Sequence, residues 1–530
     1  MTPVLRLLLP LLAAAVSCGQ TGNGGSEPLP KALAVVCRAG GNSVLAGTTA
    51  NSIDPENPGL EIEFSREVDL DMTPGEVHFS GGDISMRYGS NKSIVSFRPM
   101  SKLEHLKTYT LELPAGEHFG VNLVEPVTLS FSTCYDRSDK FPRISDEELL
   151  TLVQKQTFKF FWDYAHPVSG LARERLGSDD TVTSGGSGFG IMTLPVAVER
   201  GFITREQAAE RLRIIVDFLQ NKAQRFHGAY SHWLNGSTGK AIAFSQKDNG
   251  GDLVETAFLI QGLLTVAQYF NAPAEADIRN GINAIWRDVE WDWYTQGGQD
   301  VLYWHWSPNY GWEMNMKITG WNEALIVYVL AASSPTHTVP ASVYHKGWAR
   351  NGAMRNDYNG PLFFTHYSFL GLDPRSLKDS YADYWEMNTA HARRNHDYCA
   401  ANPNGHAGYS SSCWGLTASD IPGGYSASAP SNDLGVIAPT AAISSIPYTP
   451  EESLDALHEF YYVYGDRLWG KYGFFDAFCL DQNWFAPSYI AIDQGPIVVM
   501  IENYRSGLLW DLFMKTPDLS YGLDKLGFSR

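Results

Sequence analysis

Four carboxylates stand where their types and spacing could do chemistry. Three fall in the run Asp248-Asn-Gly-Gly-Asp252-Leu-Val-Glu255, and the fourth closes Gly320-Trp-Asn-Glu323. Spacings of four and three would bring Asp248, Asp252 and Glu255 to one face at the start of a helix. Glu323 is expected in the first turn of a second helix. Trp304, His305, Trp306 and Trp321 lie close by in sequence. Carboxylates move protons and indole faces hold sugar rings, so the pattern points to hydrolysis of a sugar acetal. A further acid, Asp493 in Ala491-Ile-Asp-Gln-Gly-Pro496, precedes the last long helix and is a competing candidate for the base.

Each of these acids also has a structural reading. Asp252-x-x-Glu255 fits a helix capping box, which leaves Asp248 without a structural duty. Asp493 fits a helix N-cap. Glu323 suits the positive end of a helix, but that field lowers a carboxyl pKa. A proton donor there needs desolvation by neighbouring indoles, or another carboxylate close by. The loops Tyr230-Ser-His-Trp233, Trp304-His305-Trp306, Trp414-Gly415 and Asn483-Trp484-Phe485 offer stacking surfaces. The expected substrate-binding set is Trp233, Trp304, His305, Trp306, Trp321, Asn322, Trp414 and Trp484, with Arg173 and Arg175 as donors to hydroxyls or partners of acids.

The elements that must position these residues come next. The chain has 530 residues, 44% of them hydrophobic, and a net charge of -18, enough for a large core and two domains. The acidic balance disfavours a nucleic-acid partner and suits a neutral ligand. Arg6 followed by the apolar run Leu7–Val16 reads as a targeting segment over residues 1–18. It ends Ala15-Val-Ser-Cys18, which resembles a lipobox, so Cys18 is the expected lipidation site. Residues 19–30 read as a tether. The expected protein is a lipid-anchored monomer of the cell envelope, with no cofactor, no metal, and no membrane contact except its anchor. Pairing of Cys399 with Cys413 and of Cys37 with Cys134 is open to an oxidising compartment.

Residues 31–137 carry short alternating runs, among them Leu60–Phe64, Tyr109–Leu113 and Val127–Phe131, separated by turn residues. They predict a small β-sandwich and resemble bacterial Ig-like modules ending in Phe131-Ser-Thr133. Asp136–Arg143 reads as a linker. From Ser145, whose Ser-Asp-Glu-Glu148 fits a capping box, residues 145–530 read as mainly α. Expected helices cover Gln207–Ala223, Leu253–Phe270, Ile278–Val289, Glu323–Ala332, Leu377–Arg394, Glu451–Gly465 and Ile497–Met514. Helical hairpins with long loops at the mouth suggest an (α/α) toroid. The glycine-rich Ser184–Gly190 reads as a loop at the cleft mouth. It has neither the Gly-x-Ser-x-Gly of a serine hydrolase nor the lysine of a phosphate loop.

Several blocks occur together: Phe161-Trp-Asp163, Ser169-Gly-Leu171, Asp248 to Ala257, Gly320 to Ala324, Trp414 to Ser419, Pro439-Thr-Ala-Ala442, Tyr472-Gly-Phe474 and Ile492 to Pro496. From Ser145 onward the chain resembles the glucoamylase-like lipoproteins of glycoside hydrolase family 144. The resemblance implies an (α/α)6 barrel, inverting hydrolysis, and β-1,2-glucan or its oligosaccharides as substrate. It matches Glu323 to the family's essential glutamate, the expected general acid, and Asp248, Asp252 and Glu255 to its essential acidic trio. It leaves open which acid is the base. The family holds endo-acting glucanases and exo-acting enzymes that release sophorose, and the β-sandwich favours the exo type. A polysaccharide lyase would want a Tyr/His pair and cationic residues for a uronate. A glycan-binding protein would keep the tryptophans without needing the acids.

Overall fold

The computed structural model describes residues 28–353 and 359–530, and for 349–353 the backbone only. The targeting segment, Cys18 and most of the tether lie outside the described residues. The chain divides into two compact units, with the boundary between Thr133 and Cys134.

The first unit is a β-sandwich. Five antiparallel strands, in the order Asn42–Val44, Ala34–Ala39, Leu60–Phe64, Ile94–Pro99 and Ile84–Tyr88, form one sheet. Thr49–Ile53, Val127–Thr133, Thr108–Leu113 and His78–Phe79 form the other. Leu60-Glu-Ile-Glu-Phe64 buries every second residue, as its alternation requires. Ile62, Phe64 and Phe97 of the first sheet share one core with Leu111, Leu129 and Phe131 of the second. The pairing of Tyr109 with Phe131 stacks their rings with centroids 5.8 Å apart.

The second unit is mainly helical. Asp136–Arg143 is not a loose linker, because it is bound along the π-helical turn Glu459–Val463. The Arg137 guanidinium donates to both Glu459 carboxylate oxygens at 2.7 and 2.9 Å. The expected box starts helix α1 (Asp146–Trp162): Ser145 Oγ accepts from Glu148 N–H while the Glu148 carboxylate accepts from Ser145 N–H.

Ser184–Gly190 is not a loop. It forms the first turns of the buried helix α2 (Ser184–Glu199). The glycines serve close packing on α4 (Leu253–Tyr269) and α1. A Cβ at Gly188 would lie 2.2 Å from the Phe258 carbonyl, and one at Gly190 would lie 2.3 Å from the Phe161 ring. That approach outweighs the helix cost of glycine, about 1 kcal/mol per residue. Helix α3 (Arg205–Asn221) starts earlier than its periodicity predicts because Thr204 and Gln207 form a capping box. Next come α5 (Ala276–Asp288) and α6 (Leu325–Ser333). The helix expected over Leu377–Arg394 runs Tyr384–Ala401, because the Asp383 carboxylate caps it. The one expected over Ile497–Met514 is two helices, Ala491–Ser506 and Leu508–Phe513, broken at Gly507 with φ 72°.

Along the chain, enclosed helices alternate with half-exposed ones. Nearly every residue of α2, α4, α6, Pro439–Ile443 and Ala491–Ser506 is buried. Helices α1, α3, α5, Tyr384–Ala401 and Pro450–His458 bury one side only. Helix α2 packs on α4 and on Ala491–Ser506, and α4 packs on α6. Asp252, Glu323 and Asp493 all stand at the N-terminal ends of enclosed helices, so the packing gathers them. Cys37, Cys399, Cys413 and Cys479 are thiols, so neither expected disulfide forms; burial raises the Cys399 pKa to about 12. No helix among the described residues is long and apolar enough to cross a membrane.

Candidate active site

The acidic trio is built around one short strand pair. Gly251–Asp252 runs antiparallel to His305–Trp306, with Asp252 opposite His305. Gly251 is required there, since a Cβ would lie 2.0 Å from the Tyr294 hydroxyl. Asp252 then caps α4, its Oδ1 accepting from Val254 N–H at 3.0 Å and Glu255 N–H at 2.9 Å. Only half of the expected capping box exists. The Glu255 carboxylate turns away to accept from Gly185 N–H, at the start of α2, at 2.9 Å. Asp248 lies in the loop before the strand rather than on the helix.

His305 is not a free substrate-binding ring. It is buried between two carboxylates, with Nε2 3.1 Å from Asp248 Oδ2 and 3.4 Å from Asp252 Oδ2. His232 Nδ1 approaches the same Asp252 oxygen at 3.4 Å. Burial opposes charge on both rings, yet the carboxylates win. Hydrogen bonds to Asp248 and Asp252 raise His305 to about 10, and the Glu255 charge with the Asp252 bond raises His232 to about 9. Burial would likewise raise Asp252, but its bonds to His232 and His305 hold it well below the usual carboxylate range. His232, Asp248 and Asp252 present ligand atoms within 4.8 Å of one another, a donor set of the kind that holds a cation. A metal ion would have to compete there with the positive charge of His305.

Glu323 sits just ahead of α6 rather than in its first turn. The Asn322 carboxamide oxygen accepts from Ala324 N–H at 2.9 Å, and Ser368 Oγ donates to the Glu323 carbonyl. Asn322 thus shapes the turn that presents Glu323. Burial, reinforced by the charges of Glu255 and Asp252, raises the Glu323 carboxyl to about 7, although its own backbone N–H opposes the shift. It therefore holds a proton to near neutral pH.

A second acidic group forms around Ala491–Ser506. Asp493 lies inside the first turn of this helix, whose N-cap is Ile490, so it is not the cap. Tyr367 Oη donates to Asp493 Oδ1 at 3.3 Å. Asp476 accepts from Asp420 N–H at 2.7 Å, and Asp420 pairs with Arg175 at 3.0 Å. Between the two groups opens a cavity of about 490 Å³, lined by Glu255, Glu323, Trp233, Trp304 and Arg175 of the expected residues. His232, Phe244, Tyr367, Tyr425 and Glu174 also line it and were not anticipated. The Phe244 ring stacks on His232 at 4.3 Å and meets Trp233 edge-on at 4.9 Å, forming one aromatic wall.

Other expected binding residues are engaged elsewhere. Trp414 is fully buried, its Nε1 donating to the Glu452 carbonyl. Trp484 packs on the cluster of Val436, Ala438, Ala477 and Cys479. Trp306 packs with Phe226, His227 and Trp293, and Trp321 lies against Trp348. The Arg173 guanidinium lies over the Tyr164 ring and donates to the Asp179 carbonyl. Asp420 and Asp476 had no sequence signal, since neither falls in a repeated spacing or a helix-start pattern. His232 could have been found from its place beside Trp233.

Residues 315–517 match the Glycoamylase family model, whose description is that of a glucoamylase. A curated exo β-1,2-glucooligosaccharide sophorohydrolase (non-reducing end) from Parabacteroides distasonis is 46% identical over 420 residues, 72% of this chain. This chain spans 58% of that relative's length. A solved endo-β-1,2-glucanase from Chitinophaga pinensis, in complex with sophorotriose and glucose, is 54% identical with TM-score 0.71, covering 73% of this chain and 99% of its own. A solved β-1,2-glucanase from Parabacteroides distasonis is 38% identical with TM-score 0.70, covering 94% of this chain and 74% of its own. The chain therefore belongs to the glucoamylase-like glycoside hydrolase family 144.

Proposed function

We propose that this protein is an anomer-inverting glycoside hydrolase that cleaves β-1,2-glucan and its oligosaccharides and releases sophorose from chain ends. The observation that carries the reading is Glu323, a carboxyl held neutral to about pH 7 in a cleft with an aromatic wall. A neutral carboxyl donates its proton to the glycosidic oxygen as the bond breaks. Asp252 is a poor base, because it is held ionised by two imidazoles and committed to capping α4. Its negative charge, with that of Glu255, adds to burial in raising Glu323. Asp493, which accepts from the hydroxyl of Tyr367 on the cavity wall, is the better base, reaching the attacking water through that hydroxyl. Trp233 and Trp304 offer faces for glucose rings. A binding platform alone would gain nothing from a neutral, buried acid.

Exo action is supported by the sophorohydrolase relative. The endo-glucanase likeness, at 54% identity, favours the second reading, cleavage inside the chain. The alternation of enclosed and half-exposed helices supports an (α/α)6 toroid, and the sandwich reads as an Ig-like module. The Ala15–Cys18 motif supports a lipid-anchored monomer of the cell envelope, which labelled-lipid incorporation lost in Cys18→Ala would test. Chromatography of products from linear β-1,2-glucan tests the activity. Sophorose alone from the outset is expected, a ladder of lengths would mean endo action, and no cleavage would overturn the proposal.

A further inference from the structure

We infer that Asp476 is a positioning residue for the proposed base, sharing one proton with Asp493 so that the two carboxyls act as a unit. The inference rests on the reading of Asp493 as the base side of a hydrolase, and it names a partner that reading does not require.

Both side chains are almost fully enclosed, Asp476 at 2% and Asp493 at 1% exposure. They lie close enough to interact directly, each the other's acidic neighbour. One oxygen of each, Asp476 Oδ1 and Asp493 Oδ2, has no hydrogen-bond partner. Two buried carboxylates cannot both be ionised in contact, and an unpartnered buried acceptor is costly. One proton between them removes both penalties. The outer oxygens are already engaged: Tyr367 Oη donates to Asp493 Oδ1, and Asp420 N–H donates to Asp476 Oδ2. The remaining groups facing the pair are the Asp420 carboxylate, which accepts from Ser488 Oγ and pairs with Arg175, and the Tyr425 phenol. Burial and the Asp476 charge push Asp493 well above the usual carboxylate range, in line with a pair that keeps one proton at neutral pH.

The proton arithmetic closes. The pair starts with one proton and one negative charge. As water attacks the anomeric carbon, its proton passes to the Tyr367 hydroxyl, which lines the cavity and hands its own proton to Asp493 Oδ1. The proton already on Asp493 Oδ2 moves to Asp476 Oδ1. The pair ends neutral with two protons, and the hydroxyl stays on the sugar.

Infrared difference spectra of the full chain at neutral pH test this without substrate. The carbonyl band of the shared proton should be lost or shifted in frequency in both Asp493→Asn and Asp476→Asn, because each removes one of the two carboxyls between which the proton lies. A band unchanged in either variant overturns the inference. If Asp476→Asn does not fold, Asp476→Glu replaces it: the band must then shift in frequency, and an unmoved band overturns the inference. In kinetics, Asp476→Asn should move the acidic limb of kcat to lower pH by relieving Asp493 of its charged neighbour; an unmoved limb overturns it. Wild-type turnover on the glucan reports separately on the functional reading.

Discussion

Gly185 and Glu255 are in direct contact across two helix ends. The Gly185 N–H donates to Glu255 Oε2 at 2.9 Å, and a Cβ on Gly185 would lie 2.3 Å from that same oxygen. The glycine at the start of α2 therefore sets the position of an acid at the start of α4. Gly185→Ala should displace Glu255, lowering kcat by about a hundredfold, the scale of an ångström-sized misplacement. Overpacking should cost about 1–3 kcal/mol of stability. Kinetics and thermal melts of the variant check both.

Glu323→Gln should lower kcat by about a hundredfold or more while oligosaccharide binding survives, as calorimetry would show. The pH dependence has a definite sign. The Glu323 pKa is raised to about 7, so its acid form is full below that pH and lost above it. Wild-type kcat should fall as pH rises through about 7, and the residual activity of Glu323→Gln should lack that limb.

His305→Ala leaves Asp248 and Asp252 facing each other without the ring between them. Breaking a buried pair of this kind should cost about 3–5 kcal/mol. The pKa of His305 is raised to about 10, so its contribution is complete below the ordinary histidine value and is lost as pH rises through about 10. The stability gap between wild type and variant should narrow from pH 7 toward pH 10 in denaturant titrations.

Two tryptophans should part company. Trp233→Ala removes a face of the cleft and should raise KM about two- to tenfold. Trp414→Ala empties a core position and should cost about 3–5 kcal/mol in stability with KM unchanged. Melting curves and steady-state kinetics on both variants separate the roles.

These contrasts also mark what the sequence could reveal. The spacing Asp252-x-x-Glu255 predicts a capped helix, and Asp252 does cap α4, because local spacing governs a cap. Where Glu255 turns is decided by Gly185, 70 residues away in sequence but adjacent in space, and no local pattern carries that. The glycines of Ser184–Gly190 read as loop because propensity is local, whereas their value lies in the approach of α2 to α4. Trp414 and Trp233 look alike in sequence, and only the packing separates a core indole from a cleft wall. The strands of the sandwich were legible because alternation and burial share one period. Asp476 was not, because it lies outside any helix-start pattern and only the fold brings it beside Asp493.

The most direct test of the central claim is the anomer released first. Proton NMR of linear β-1,2-glucan, followed from the moment wild-type protein is added, should show α-sophorose appearing ahead of mutarotation. The β-anomer appearing first would contradict the inverting assignment of Glu323 and Asp493, and no sophorose at all would contradict the proposed activity.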